Sequence, residues 1–381
     1  MRIIYLTWGY EFDNFIIEEF RNHKIEVQVK NIPLMNWNCF KVDDNGEALI
    51  LLDLLESMIN DVENSILFSI DFNGVVSDFC QKHKVPYCSW VLNLPNFDLY
   101  TKSIFNECNY IGICDSYLVK KMWEIGAKKV FYLPNAVQLF QNSTKDYKER
   151  GFCFIGNQDK VLMNINNMSL YSQGYIDASI HSQRVNPNSY ILESGLSNRV
   201  YSELVKYNMV DKNILEYFQR QYIADYYLAP YCTMQAQNIF LQNIQNLVTI
   251  YSNNNFDMCN CRKYKYVENK VEKNKIYQEK EFTLVLADYY LHYGVSRQVL
   301  EIIAAGGFPI CEYRVDLDNM FDEGVNITYF KNREQFLRLV DKYGNNQEER
   351  NRLLEKSRTW VIENHTYKNR IETILRMWEV L

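Results

Sequence analysis

The stretch GVSRQVLEIIAAGGFPICEY, residues 294–313, reads as a glycine turn, a helix, a Gly-Gly break and a short apolar strand. Val295, Val299, Ile302 and Ile303 recur at a helical period. Gly306 and Gly307 follow where a helix ends on a residue that tolerates positive φ. A helix that starts after a glycine turn offers free backbone N–H groups and the positive end of its dipole, which suits a phosphate. Ser296 and Arg297 add a hydroxyl and a guanidinium to that first turn. Glu301, one turn further, can accept hydrogen bonds from the two vicinal hydroxyls of a ribose. The same spacing also fits a plain i,i+4 ion pair between Arg297 and Glu301 on a solvated face.

Outward from this stretch the pattern alternates strand and helix, as in a parallel α/β sheet. Strands are expected at residues 2–7, 23–29, 65–70, 86–91, 110–114 and 129–133. Helices are expected at 12–22, 47–61, 75–82 and 116–125. A P-N-A-V exit at 134–137 leads to a polar linker at 141–150. A second α/β unit starts with a strand at 151–155 that turns at Gly156 and Asn157. Residues 162–247 are helix-rich and carry no recognisable motif. Strands follow at 248–252, 282–287, 308–312 and 327–329. A charged surface helix is expected within 261–280, and further helices at 334–342, 347–363 and 368–379. The predicted division is 1–140, 150–365 and a C-terminal helix, 366–381.

The chain has 381 residues, net charge −6, 47% hydrophobic and 15% aromatic residues. It can bury sizeable cores, and its charge argues against a nucleic-acid binder working through a basic surface. Of its ten cysteines, Cys88, Cys114, Cys153 and Cys311 sit in apolar runs and read as buried thiols. No signal peptide and no transmembrane segment are expected, which points to the cytoplasm. Peripheral membrane contact stays open. Asp316-Leu317-Asp318 spells D-x-D but fits a helix N-cap with an acidic first turn better than a metal site. Cys259 and Cys261 lack a further Cys or His set for zinc.

The 294–313 stretch resembles the donor-nucleotide helix of GT-B glycosyltransferases. More narrowly it is similar to the CgeB-type (spore-protein) glycosyltransferase-like family, whose pattern runs roughly G-[IV]-P-x-R-V-x-[DE]-x-x-x-x-G-G-F and ends in H-T-Y-x-x-R. Here the last element is His365-Thr366-Tyr367-Lys368-Asn369-Arg370. Residues 3–20 (IIYLTWGYEFDNFIIEEF), 89–110 (SWVLNLPNFDLYTKSIFNECNY) and 130–137 (VFYLPNAV) resemble the domain that usually precedes it.

The resemblance implies two Rossmann-like, doubly wound domains facing a cleft, with a helix-rich insertion in the second. It implies transfer of a hexosyl or N-acetylhexosaminyl unit from a nucleotide sugar, such as a UDP-sugar, to a bacterial protein or surface glycan. No metal and no cofactor beyond the donor are implied. On the donor side it points to Gly156, Asn157, Gly294, Val295, Ser296, Arg297, Gln298, Glu301 and Gly307. Arg297, Asp98 and Asp13 are the expected catalytic groups, and Trp8, Trp90 and Asn93 the acceptor side.

The chain departs from related patterns at three places. The first Glu of an E-x7-E pair is Tyr293. The arginine expected one residue after Arg297 is Gln298. The Asp of an S-W-x-x-D-x-P pattern is Asn93, for which Asp98 or Asp71 is a substitute. Plainer roles stay open: core packing for Trp90, a helix cap for Asp13, a β-turn for Gly156, a structural tie for His365. So do two other functions, a catalytically silent glycan- or partner-binding module and a nucleotide-sugar epimerase.

Overall fold

In the computed structural model the described residues are 2–32, 47–59, 62–138, 149–156, 163, 165–186, 188–208, 210–245, 247–252, 264–266 and 270–378. They form two units. One comprises Met1–Pro134, Val210–Tyr222 and Arg370–Leu381, the other Asn135–Met209 and Ile223–Asn369.

The first unit is built on six parallel strands: β1 (Arg2–Thr7), β2 (Glu26–Asn31), β3 (Ser65–Ile70), β4 (Tyr87–Val91), β5 (Asn109–Ile113) and β6 (Val130–Tyr132). Their order is β2-β1-β3-β4-β5-β6. β3, β4 and β5 are buried along their whole length, which a parallel sheet covered on both faces requires. Strand order reverses between β1 and β3, so the loops after these strands bound the crevice where such sheets take ligands. Asn73 caps the Gly74–His83 helix by accepting the Val76 N–H at 3.0 Å. Asp115 does the same for the Ser116–Glu124 helix, through Leu118 N–H at 3.2 Å.

Val210–Tyr222, read from sequence as part of the second half's helix-rich region, lies in this unit. Leu215 N–H donates to the Tyr100 carbonyl at 2.9 Å, and the Phe218 ring lies 5.2 Å from Tyr100. The C-terminal residues join through Trp378, stacked on Phe20 at 5.9 Å, and Arg370, which donates to the Pro134 carbonyl at 2.8 Å.

The second unit has β7 (Glu149–Ile155), β8 (Val248–Ser252), β9 (Tyr264–Tyr266), β10 (Lys280–Val285), β11 (Pro309–Glu312) and β12 (Tyr329–Phe330). These are also parallel, ordered β12-β11-β10-β7-β8-β9. Here the order reverses between β7 and β10. Phe152, Phe154, Phe282, Phe308 and Phe336 fill one face of the sheet.

One strand, β9, is not expected from sequence, and several strand bounds differ, among them β2, which is Glu26–Asn31 against 23–29, and β12, which is Tyr329–Phe330 against 327–329. β9 is a three-residue Tyr-Lys-Tyr piece, too short to show a period of two. β10 starts at Lys280, which belongs by sequence to the charged helix. Its side chain is buried, with the ammonium 5.8 Å from the Tyr251 ring centroid. The expected charged helix is Lys270–Glu279.

Cys88, Cys114, Cys153 and Cys311 are buried free thiols. No helix among the described residues is long and apolar enough to cross a membrane.

Candidate functional site

In the second unit the chain leaves β10, runs through residues 286–296 and enters the Arg297–Ala305 helix. Ser296 is the N-cap, its Oγ accepting the Gln298 N–H at 3.4 Å, and Gly306 closes the other end at φ 87°. The Gln298 amide donates to the Ile155 carbonyl at 2.8 Å and to the Tyr277 hydroxyl at 3.3 Å. It thereby fixes the helix start to the end of β7, at the reversal point of the sheet.

A small pocket opens at the carboxyl ends of β10 and β11. Ala287, Asp288, Gly294, Ser296, Glu312 and Arg314 line it, over an apolar floor of Val285, Val299, Cys311 and Leu317. Arg297 Nε donates to Glu301 Oε1 at 3.0 Å, with the arginine side chain 36% exposed and the glutamate 17%. The i,i+4 pair therefore forms, and it occupies one oxygen of Glu301.

Several expected donor contacts have other duties. Gln298 clamps β7, as above. The Val295 side chain is buried in the apolar core, and its carbonyl accepts from Asn135 Nδ2 at 2.9 Å. Gly307 stands at the C-terminal end of the helix, away from Ser296. A Cβ there would lie 2.6 Å from the Tyr277 carbonyl oxygen, so close packing demands the glycine. At Gly156 a Cβ would meet the Phe154 ring at 2.8 Å, and its N–H donates to Tyr251 at 3.1 Å; this too is packing. Asn157, and the cysteines at 259 and 261, lie outside the described residues. Tyr293 turns its hydroxyl to the Asn188 carbonyl at 3.2 Å.

The loop 286–296 is held by residues that sequence reasoning missed. His292 Nε2 lies 2.8 Å from Asp225 Oδ1, both side chains being 0% exposed. The Tyr190 hydroxyl donates to the same oxygen at 2.7 Å. The Arg314 guanidinium donates to the Leu291 and His292 carbonyls. Thr233 Oγ1 accepts the Tyr289 N–H at 2.8 Å, and Gln237 donates to Asp288 at 3.1 Å. Glu312 Oε2 accepts the Ala287 N–H at 2.9 Å. Burial raises the Glu312 carboxyl, opposed by that N–H and by Arg314 and Arg184. The available signal was an acid, Asp225, inside the apolar IADYYLA run. Its partner is remote in sequence.

Asp318 accepts from the Tyr313 and Tyr329 hydroxyls, each at 2.8 Å, and Asp316 accepts from Asn319 at 2.8 Å. Among the described residues no group of His, Cys, Asp or Glu is arranged to hold a metal ion. His365 ties the Gln347–Asn364 helix down: its Nε2 lies 3.0 Å from the Met320 carbonyl, and its own carbonyl accepts the Val137 N–H at 3.0 Å.

In the first unit the reversal between β1 and β3 gathers Tyr10, Asp71 and Asn93. Asp71 is buried at φ 60°, an uncommon conformation for a non-glycine residue. Its carboxylate accepts from the Tyr10 hydroxyl at 2.8 Å, from Asn93 Nδ2 at 2.7 Å, and from the Leu92 and Asn93 amides at 2.9 Å each. Burial raises its pKa and these donors oppose the rise. Burial and the neighbouring Asp71 push the Tyr10 hydroxyl up. Trp8 is half-buried at the end of β1 and Asn93 is exposed.

The other expected residues are structural. Trp90 is wholly buried and donates to the Leu133 carbonyl at 3.0 Å, so it belongs to the core, not to an acceptor surface. Asp13 is occupied by the Tyr5 hydroxyl at 2.7 Å, the Thr7 hydroxyl and the Tyr10 N–H at 3.1 Å. It fastens the loop after β1, and these donors occupy three of its roughly four acceptor sites. The helix-cap reading also fails, because Phe12 is the cap residue and makes no side-chain bond.

Asp98 faces the amino end of the Gly74–His83 helix, its Oδ1 lying 3.4 Å from where a Cβ on Gly74 would stand. Burial raises it to about 6; the Gly74 N–H opposes the rise, and Asp78 and Asp211 add to it. The folded chain thus holds this proton more tightly than the unfolded one. The associated stability is full below about pH 4 and is lost as pH rises through about 6. Asp98→Asn is therefore expected to gain stability relative to wild type between pH 4 and pH 7, read by urea denaturation at both. A difference that ignores pH would show that Asp98 titrates normally.

Residues 236–376 match the family described as Glycosyl transferase-like. No curated protein matches the chain in sequence. Among solved structures, Alr3699/HepE of Anabaena, in complex with UDP and glucose, aligns over 100% of both chains at 7% identity and TM-score 0.52. Its complex with UDP-glucose aligns at 8% identity and TM-score 0.52, again over both whole chains. TarM of S. aureus aligns over 87% of this chain at 12% identity and TM-score 0.51, and the alignment spans 58% of TarM. With its two parallel doubly wound sheets, the chain has the GT-B fold.

Proposed function

We propose that the chain is a glycosyltransferase that moves a hexosyl or N-acetylhexosaminyl unit from a nucleotide sugar, a UDP-sugar foremost, to a protein or surface-glycan acceptor. The matched family and the UDP complexes of HepE support this reading. One observation carries it: the Arg297–Ala305 helix presents its amino end, through Ser296, to the pocket at the carboxyl ends of β10 and β11, with Arg297 and Glu301 on its first turns.

The donor diphosphate takes the first-turn amides and the Ser296 hydroxyl. Glu301 gives Oε1 to Arg297 and Oε2 to a ribose hydroxyl. Arg297 and the helix end meet the charge that develops on the leaving diphosphate, so no metal is invoked. In the first unit Asp71 stands in for the carboxylate that position 93 lacks; its four acceptor sites are filled, so it acts by orienting Tyr10 and Asn93, whose polar groups are the contact offered to an acceptor. The 294–313 and 365–370 motifs make the CgeB type the narrower assignment, and the cytoplasm the proposed location.

The test is a thermal-shift panel of UDP-, GDP-, ADP- and dTDP-sugars on wild type and Glu301→Ala. A ligand at a hundred times its Kd adds about 2.7 kcal/mol. Stabilisation by one nucleotide class, lost in the variant, is expected. A folded protein that no donor stabilises would rule the reading out. Stabilisation with no transfer or hydrolysis would leave a silent binding module.

A further inference from the structure

The same pocket contains a carboxylate, Glu312, whose charge Arg314 and Arg184 favour and burial opposes. Glu312 ends β11, where its Oε2 accepts a single backbone N–H, that of Ala287 at 2.9 Å. A neutral amide would satisfy that N–H as well. No salt bridge holds Glu312 among the described residues. Arg314, two residues on, spends its guanidinium on the Leu291 and His292 carbonyls. Placing an ionisable acid over a floor of Val285, Val299, Cys311 and Leu317 costs desolvation energy, which a ligand with several hydroxyl donors would offset. The Ala287 bond fixes the side chain with Oε1 left over, on a wall that also includes Gly294 and Ser296.

We propose that Glu312 reads the donor's sugar: its carboxylate accepts hydroxyl hydrogen bonds from a neutral hexose and excludes a uronate by like charge. This rests on the donor-site reading above. A carboxylate that accepts from a hydroxyl forms a charge-assisted bond, whereas a second carboxylate at that distance is repelled. The discrimination resides in Oε1 and is separate from the diphosphate contacts at the helix end.

The experiment is calorimetric titration of wild type and Glu312→Gln with UDP, UDP-glucose and UDP-glucuronate. Wild type should bind UDP-glucose at least ~10-fold more tightly than UDP-glucuronate, the scale of one charged hydrogen bond. In Glu312→Gln that preference should collapse toward equality, with UDP affinity unchanged, because glutamine still accepts the Ala287 N–H. An unchanged preference in a variant that still binds UDP overturns the proposal alone. Wild type that binds UDP-glucuronate as tightly as UDP-glucose overturns it without any variant. Wild type that binds neither UDP nor any other nucleotide of the panel overturns the donor-site reading and this proposal with it.

Discussion

Asp225→Ala is expected to destabilise the second unit by about 3–5 kcal/mol, the cost of removing one member of a fully buried hydrogen-bonded pair. Asp225 Oδ1 receives the Tyr190 hydroxyl and faces His292 Nε2, and neither Asp225 nor His292 is reached by water. Alanine would take the Oδ1 acceptor away from both buried partners, each loss costing about 1–3 kcal/mol. Asp225→Asn keeps an oxygen that can accept from both and should lose far less. The contrast separates lost hydrogen bonding from lost volume. Chemical denaturation followed by near-UV circular dichroism reads it, and equal losses in the two variants would refute the account. The location of the pair matters for function. Asp225 lies on the π-helical turn Ala224–Leu228, and His292 lies two residues before Gly294. A π turn inside an α-helical run is uncommon and is often kept where a side chain must be aimed. Here it aims a carboxylate at the loop that leads into the Arg297–Ala305 helix.

Periodicity and turn chemistry made the frame legible. Ser65–Ile70 and Val248–Ser252 have the bounds read from sequence, because each is a short apolar run closed by turn or polar residues. The Arg297–Ala305 helix was equally plain: a glycine turn opens it, its apolar period is regular, and Gly306 adopts the positive φ expected of a C-cap. What failed were inferences that depend on where a side chain points. Trp90 alternates correctly for a strand, yet only the fold shows that its ring meets the Leu133 carbonyl. Gln298 reads as a first-turn polar residue, and its amide instead bonds to Ile155, remote in sequence. Gly307 reads as helix punctuation, while the Tyr277 carbonyl is what excludes a side chain there. Asp71 shows only as a turn residue until β1, β3 and β4 bring Tyr10 and Asn93 to it. Such non-local pairings leave no periodic trace in a single sequence.

Arg297→Ala should lower turnover by about 10²-fold or more and raise the donor KM much less, as loss of a cation aimed at developing charge does. The diphosphate is already anionic when bound, so the helix amides and Ser296 can hold it in the ground state. Charge grows on its terminal oxygen only as the glycosidic bond breaks, and the guanidinium acts at that stage. Glu301 makes this role feasible despite 36% exposure, because the 3.0 Å bond to Nε fixes the arginine's direction. Arg297→Lys keeps the charge but loses the planar fork and the Nε bond, so it should fall between wild type and alanine. Glu301→Gln should also lower kcat, through a less restrained Arg297, in addition to weakening ribose binding. Steady-state kinetics with the donor identified by the nucleotide panel decide the matter. If Arg297→Ala raises KM alone, with kcat unchanged, the guanidinium contributes only uniform binding, and the leaving-group charge is met by the helix end without it.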